Sequence, residues 1–207
     1  MSLQKFLSEH AQAIARQDPQ LQDVIMYGSH VKGKANYTDV DIALLFEDTV
    51  NKESERLFRQ GLPKNENFDI ISLTLEETRR EGFVAREGLT LEGYSLLRET
   101  FIAHEKGFFS VGFVTYSLAH VVGSRRTRFY YALQGRKDMP GILDRIGAKK
   151  FATNTIVCNY HSVEKLREFF SVWGIEYTIV PSLIPYRLRH IILGEAKDRE
   201  DPDENKK

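Results

Sequence analysis

Two aspartates, Asp39 and Asp41, stand two residues apart in the apolar run Asp39-Val-Asp-Ile-Ala-Leu-Leu-Phe46. A run of this kind reads as a β-strand, and the alternation of a strand puts both carboxylates on one face, with Val40 and Ile42 on the other. A solvated sheet face would continue polar, but Ala43 and Phe46 do not. Like charges brought this close are unfavourable unless a cation lies between them. Oxygen donors of this type suit Mg²⁺, which takes a few carboxylates together with phosphate oxygens and water. In two-metal phosphoryl chemistry a pair of such ions clamps the entering and leaving oxygens.

A third carboxylate and a phosphate-binding turn are both within reach. Asp69 lies in the apolar run Phe68-Asp-Ile-Ile-Ser-Leu73 with no local partner. A strand paired beside 39–46 brings it next to Asp39 and Asp41, since neighbouring strands lie about 4.8 Å apart. Glu66 is the fallback for this position. Upstream, the short strand Val24-Ile-Met-Tyr27 stops at Gly28-Ser29. A helix starting there points backbone N–H groups at a phosphate, and Ser29 adds a hydroxyl. Lys32 and Lys34 add positive charge for a triphosphate. Gly28-x4-Gly33-Lys34 comes close to a Walker A loop, but Ala35 replaces the Mg²⁺-binding hydroxyl and an acidic strand follows within a few residues.

The pattern Gly28-Ser29-x3-Gly33-x4-Thr38-Asp39-x-Asp41 resembles the signature of the DNA polymerase beta-like nucleotidyltransferases, most of all their small prokaryotic and archaeal members. The resemblance covers about residues 20–75. It implies that Gly28 and Ser29 hold a triphosphate, that Asp39 and Asp41 ligate two metal ions, and that Asp69 completes the site. It implies transfer of a nucleoside monophosphate from an NTP to an acceptor hydroxyl, with Mg²⁺ (two ions, Mn²⁺ as the alternative) as cofactor. The gap His30-Val31-Lys32 departs from the family, which often carries an arginine there; a lysine supplies a point charge in place of a bidentate fork.

The chain has 207 residues, 42% of them hydrophobic, enough to bury a core. The expected organisation is α+β: residues 1–100 as a nucleotidyltransferase domain, a small mixed sheet with helices on one side. A second α+β unit over 101–194 would bind the acceptor or a partner, and 195–207 would be a disordered charged tail. Helices are expected over 3–17, 51–60, 75–86, 124–133 and 162–173. Strands are expected at 24–27, 39–46, 68–73, 108–118, 155–158 and 175–180, the last ending at Pro181. Residues 87–105 read as partly helical, broken at Gly88 and Gly93.

Net charge is zero, but residues 1–100 hold 12 Lys/Arg against 17 Asp/Glu, and residues 101–207 hold 17 against 12. A basic second half tilts the acceptor towards nucleic acid. Arg125, Arg126, Arg128, Arg136 and Lys137, interleaved with Phe129, Tyr130 and Tyr131, are the candidate nucleic-acid contacts. The same stretch also reads as an amphipathic helix with its rings in the core. A small molecule or a protein hydroxyl are the other acceptor classes. A different class is a non-catalytic, antitoxin-like module that binds a nucleotide or partner on the same scaffold. Cys158, the one cysteine, sits in Thr155-Ile-Val-Cys158 as a core thiol, which fits a reducing compartment. No apolar run is long enough to span a bilayer, so no membrane partner is expected and the cytoplasm is the expected location.

Overall fold

The computed structural model describes residues 2–34, 37–80 and 85–194, with side chains from residue 88 onward in the last segment. The expected tail at 195–207 lies outside the described residues. The chain opens with α1 (Leu3–Ala15), whose first turn is capped by the Ser2 hydroxyl accepting from the Lys5 amide. Leu7, Ala11 and Ile14 recur at helical spacing and are all buried. Then follow β1 (Leu21–Tyr27), the short helix α2 (Gly28–Val31), β2 (Val40–Phe46), α3 (Lys52–Gln60), β3 (Phe68–Thr74), α4 (Leu75–Arg79) and α5 (Ala85–Glu92). Two short strands, β4 (Tyr94–Ser95) and β5 (Thr100–Phe101), and α6 (Ile102–Glu105) complete this part.

These strands form one mixed sheet in the order β3-β2-β1-β4-β5. β2 and β3 are parallel, joined across α3, and the other pairings are antiparallel. One sheet face carries Val24, Met26, Val40, Ile42, Leu44 and Phe46 against α1 and against Phe58 of α3. The opposite face carries Ile25, Ala43 and Leu45, which pack with Leu89 of α5, Ile102 of α6 and Leu75 of α4. Burying side chains of this size contributes about 1.5–3 kcal/mol each, so the two clusters hold the sheet between helices on both faces, where helices on one side alone were expected. Helix α4 stops at Arg79, short of the expected 75–86: a Thr74–Glu77 capping box starts it, but Arg80 already turns to an extended conformation. Residues 81–84 lie outside the described residues.

The rest of the chain builds a second sheet. Its elements are β6 (Phe108–Ser117), α7 (Gly123–Gln134), the hairpin β7 (Gly135–Arg136) and β8 (Met139–Pro140), and α8 (Ile142–Arg145). They continue with β9 (Lys149–Ala152), β10 (Thr155–Asn159), a 3-10 turn at Tyr160–Ser162, α9 (Val163–Trp173), β11 (Glu176–Pro185) and α10 (Arg189–Leu193). The strand order is β11-β6-β10-β9, antiparallel throughout. This is a βαββαβ arrangement, with α7 and α9 covering one face through Phe129, Leu133, Leu166 and Phe170. β11 runs past the expected stop at Pro181. It pairs along all of β6 from Glu176–Ser117 to Pro185–Phe108, and as an edge strand it tolerates a residue without an N–H. Cys158 is fully buried in this core, and burial pushes its thiol up to about 12.

Candidate active site

The ends of β1, β2 and β3 meet at one edge of the first sheet. Val40 donates its amide to the Asn67 carbonyl at 2.9 Å, and the Asn67 side chain donates to the Thr38 carbonyl at 3.3 Å. These bonds fix the entry of β2 against the entry of β3. The parallel register that follows pairs Asp41 directly with Asp69. On the other side of β2, Asp41 is opposite Tyr27, the last residue of β1. Asp39 precedes β2 by one residue and accepts from the Thr38 hydroxyl at 3.2 Å.

The turn out of β1 lies against these carboxylates. Gly28 has φ +78°, a left-handed conformation suited to glycine. A methyl group at Gly28 would stand 1.8 Å from Asp41 Oδ2, so the carboxylate fills the space a side chain would take. Helix α2 begins here, and its cap residue Tyr27 offers no side-chain hydrogen bond. The turn is closed by Lys32 N–H donating to the Gly28 carbonyl, Gly33 N–H to His30, and Lys34 N–H to Ser29.

Electrostatically this is a negative site. The Asp41 carboxyl is raised above its ordinary range by burial first, then by the charges of Asp39, Asp69 and Glu92; Lys32 opposes them. The Tyr27 hydroxyl is pushed up to about 12 by burial and by Asp41, Asp69 and Glu92. A carboxylate held in such company is the kind of ligand a hard divalent cation neutralises, and the donors are all oxygen. Among the described residues, however, no three Asp, Glu, His or Cys side chains converge tightly enough to grip an ion. The two observations concern different things. The charges are felt at Asp41 because the backbones are in register, whereas a common ligand point also needs the side chains to turn towards it. Asp39 and Asp41 are half-buried and Asp69 is exposed, which leaves their side chains room to rotate.

Of the sequence candidates, Gly28, Ser29, Asp39, Asp41 and Asp69 share this edge. Lys32 is there too, but its ammonium lies 3.0 Å from Glu92 Oε2, both side chains being largely shielded from water. That differs from a lysine held free for a phosphate. Lys34 is exposed beyond the turn. Glu66 accepts from the Tyr37 hydroxyl at 3.3 Å, and the His30 ring packs edge-on against the same tyrosine. Glu92 and Tyr27 are the site residues that sequence reasoning passed over. Strand parity places Tyr27 with Asp41, but nothing in the run 87–105 singles out Glu92.

The basic cluster lies elsewhere, on and after α7. Phe129 is in the core, Arg126 and Arg128 are exposed, and Arg125 donates to the Trp173 carbonyl at 2.8 Å. Arg136 sits over the Tyr131 ring, 5.0 Å from its centre, and Lys137 follows at the hairpin turn. The amphipathic reading of this stretch therefore describes Phe129, whereas Tyr131 is exposed, and Arg125 ties α7 to α9. No helix among the described residues is long and apolar enough to cross a membrane.

Residues 7–86 match the family model of the nucleotidyltransferase domain. Similar solved structures include a candidate nucleotidyltransferase from Sulfolobus solfataricus, 21% identical, with 45% of this chain and 78% of that chain aligned at a TM-score of 0.32. Another is a toxin–antitoxin solved with AMP-PNP, 22% identical, with 43% and 71% aligned at a TM-score of 0.33. No curated protein matches the chain. By this match residues 7–86 are a nucleotidyltransferase domain.

Proposed function

We propose that the protein transfers a nucleoside monophosphate from an NTP to an acceptor hydroxyl, releasing pyrophosphate, in a reaction that depends on Mg²⁺. The observation that carries this reading is the parallel pairing of Asp41 with Asp69 beside the left-handed Gly28 turn. In this reading Asp39, Asp41 and Asp69 would hold the metal, which would neutralise phosphate charge and acidify the attacking hydroxyl. The acceptor oxygen forms a bond to the α-phosphorus, the bond from that phosphorus to the bridging oxygen of the β-phosphate breaks, and the acceptor proton leaves to a carboxylate or water. The chain's own contribution is positioning: the backbone amides of Gly28 and Ser29 and the Ser29 hydroxyl orient the phosphates, while Asp69 brings a carboxylate from a separate strand. Catalysis of this type rests on orientation and charge complementarity more than on covalent chemistry.

The second unit would hold the acceptor. Between residues 108 and 194 it carries twelve Lys/Arg against five Asp/Glu, which favours a nucleic-acid 3′ hydroxyl over a small molecule or a protein hydroxyl. The experiment is to incubate the protein with each labelled NTP and Mg²⁺ against pooled RNA, DNA and cell protein, following label and pyrophosphate. One pool becomes labelled, and Asp41→Asn and Asp69→Asn lower the rate by at least about 10²-fold, the scale of losing a group that stabilises transition-state charge. Metal-dependent NTP binding without any pyrophosphate release would leave a binding module. Unchanged transfer by Asp41→Asn would remove the catalytic assignment.

A further inference from the structure

The second unit reaches the nucleotide turn itself. The 3-10 turn at Tyr160–Ser162 and the first turn of α9 lie against the turn that follows α2: a methyl group at Gly33 would stand 3.0 Å from the His161 carbonyl and 3.9 Å from Lys165 Cε. The His161 ring is clasped between the units. It stacks on Phe101, with centres 3.8 Å apart, and lies within electrostatic reach of the Val31 backbone in α2. Tyr160 feels the charges of both Glu92 and Lys32. The edge of the phosphate-binding turn is therefore made by two units, and the Lys165 stem crosses over its closing glycine.

This matters for where the positive charge comes from. The turn's own Lys32 is committed to Glu92 at 3.0 Å, and withdrawing it would leave a shielded carboxylate without its partner. A polyphosphate arriving beside Asp39, Asp41, Asp69 and Glu92 meets a strongly negative neighbourhood. Lys165 is exposed and forms no ion pair among the described residues, so its ammonium is not committed elsewhere. Its four-carbon stem gives it a radius of several ångströms around Gly33. We propose that Lys165, from the second unit, is the lysine that contacts the β- and γ-phosphates of the bound nucleotide. The proposal rests on the nucleotide-binding reading above. It makes the second unit a part of the nucleotide site as well as a platform for the acceptor.

Equilibrium binding tests it on the full chain in Mg²⁺. The ligands are the triphosphate that the wild type prefers among the four, and the corresponding di- and monophosphate. Lys165→Ala is expected to weaken the triphosphate about tenfold and to leave the monophosphate unchanged, and Lys165→Arg is expected to restore most of the loss. Lys150→Ala, an exposed lysine on β9, serves as the charge control, and circular dichroism checks that each variant is folded. Equal triphosphate affinity in Lys165→Ala and wild type overturns the proposal while leaving the nucleotidyltransferase reading intact. An equal loss for tri- and monophosphate overturns it in favour of a purely structural side chain. Absence of nucleotide binding by the wild type overturns both readings together.

Discussion

Replacing Gly28 with alanine changes no charge and removes no ligand, so it isolates what the turn geometry does. At φ +78° an alanine bears the cost of a left-handed backbone, about 1–2 kcal/mol. Its new methyl carbon would lie 1.8 Å from Asp41 Oδ2, where an ordinary contact is about 3.5 Å. The carboxylate must therefore retreat by about 1.7 Å, which forces Asp41 off its rotamer at about 0.5–1.5 kcal/mol. Together the loss is about 1.5–3.5 kcal/mol. At about 2–4 °C per kcal/mol for a chain of this size, the melting temperature falls by about 3–14 °C.

Gly107 supplies the reference. Its φ is +76°, almost the same strain, but a methyl group there meets nothing within 4 Å. Gly107→Ala therefore bears the backbone cost alone, about 1–2 kcal/mol. The difference between the two variants measures the displacement of Asp41. The assay is thermal melting of both variants, with and without Mg²⁺ and NTP, alongside direct nucleotide binding. Gly28→Ala should melt lower than Gly107→Ala and lose metal-dependent nucleotide binding, and Gly107→Ala should keep it. If Gly28→Ala binds nucleotide as the wild type does, or melts no lower than Gly107→Ala, the packing of the turn against Asp41 is not what organises the site.

Three further outcomes follow from the same geometry. Asp41 is raised by burial and by three neighbouring carboxylates, so its ionised form destabilises the fold once pH passes the unfolded carboxylate range. In metal-free buffer at pH 7, Asp41→Asn should therefore melt above the wild type, and the gain should vanish well below pH 4. A variant that melts lower at pH 7 would contradict the crowding of charge. His161 is lowered to about 4, mainly by burial and next by His104, so the folded chain binds fewer protons than the unfolded one between about pH 6.5 and 4. Stability contributed there is present above pH 6.5 and lost as pH falls towards 4, and His161→Asn should flatten that part of a melting-temperature profile. Cys158, buried with its thiol pushed up to about 12, should resist iodoacetamide in the native protein and react in denaturant, as read by mass spectrometry.

Much of the first sheet was legible because alternation is a local property. The run from Asp39 to Phe46 announces both its strand and the shared face of two carboxylates, and Phe68–Thr74 announces a neighbour. What local pattern leaves open is register, since sliding β3 by one residue would turn Asp69 to the wrong face. That is settled by Asn67, whose carbonyl and side chain hold the entry of β2. The Lys32–Glu92 pair, the reach of Lys165 over Gly33 and the clasp at His161 join residues 60 to 132 positions apart. No periodicity encodes such contacts. They arise because β4, β5 and α6 bring the chain back along the first sheet before the second begins, so the 3-10 turn after β10 comes to rest beside Gly33. The turn that follows Gly28 therefore has neighbours from both parts of the chain, although the motif that announces it lies in the first alone.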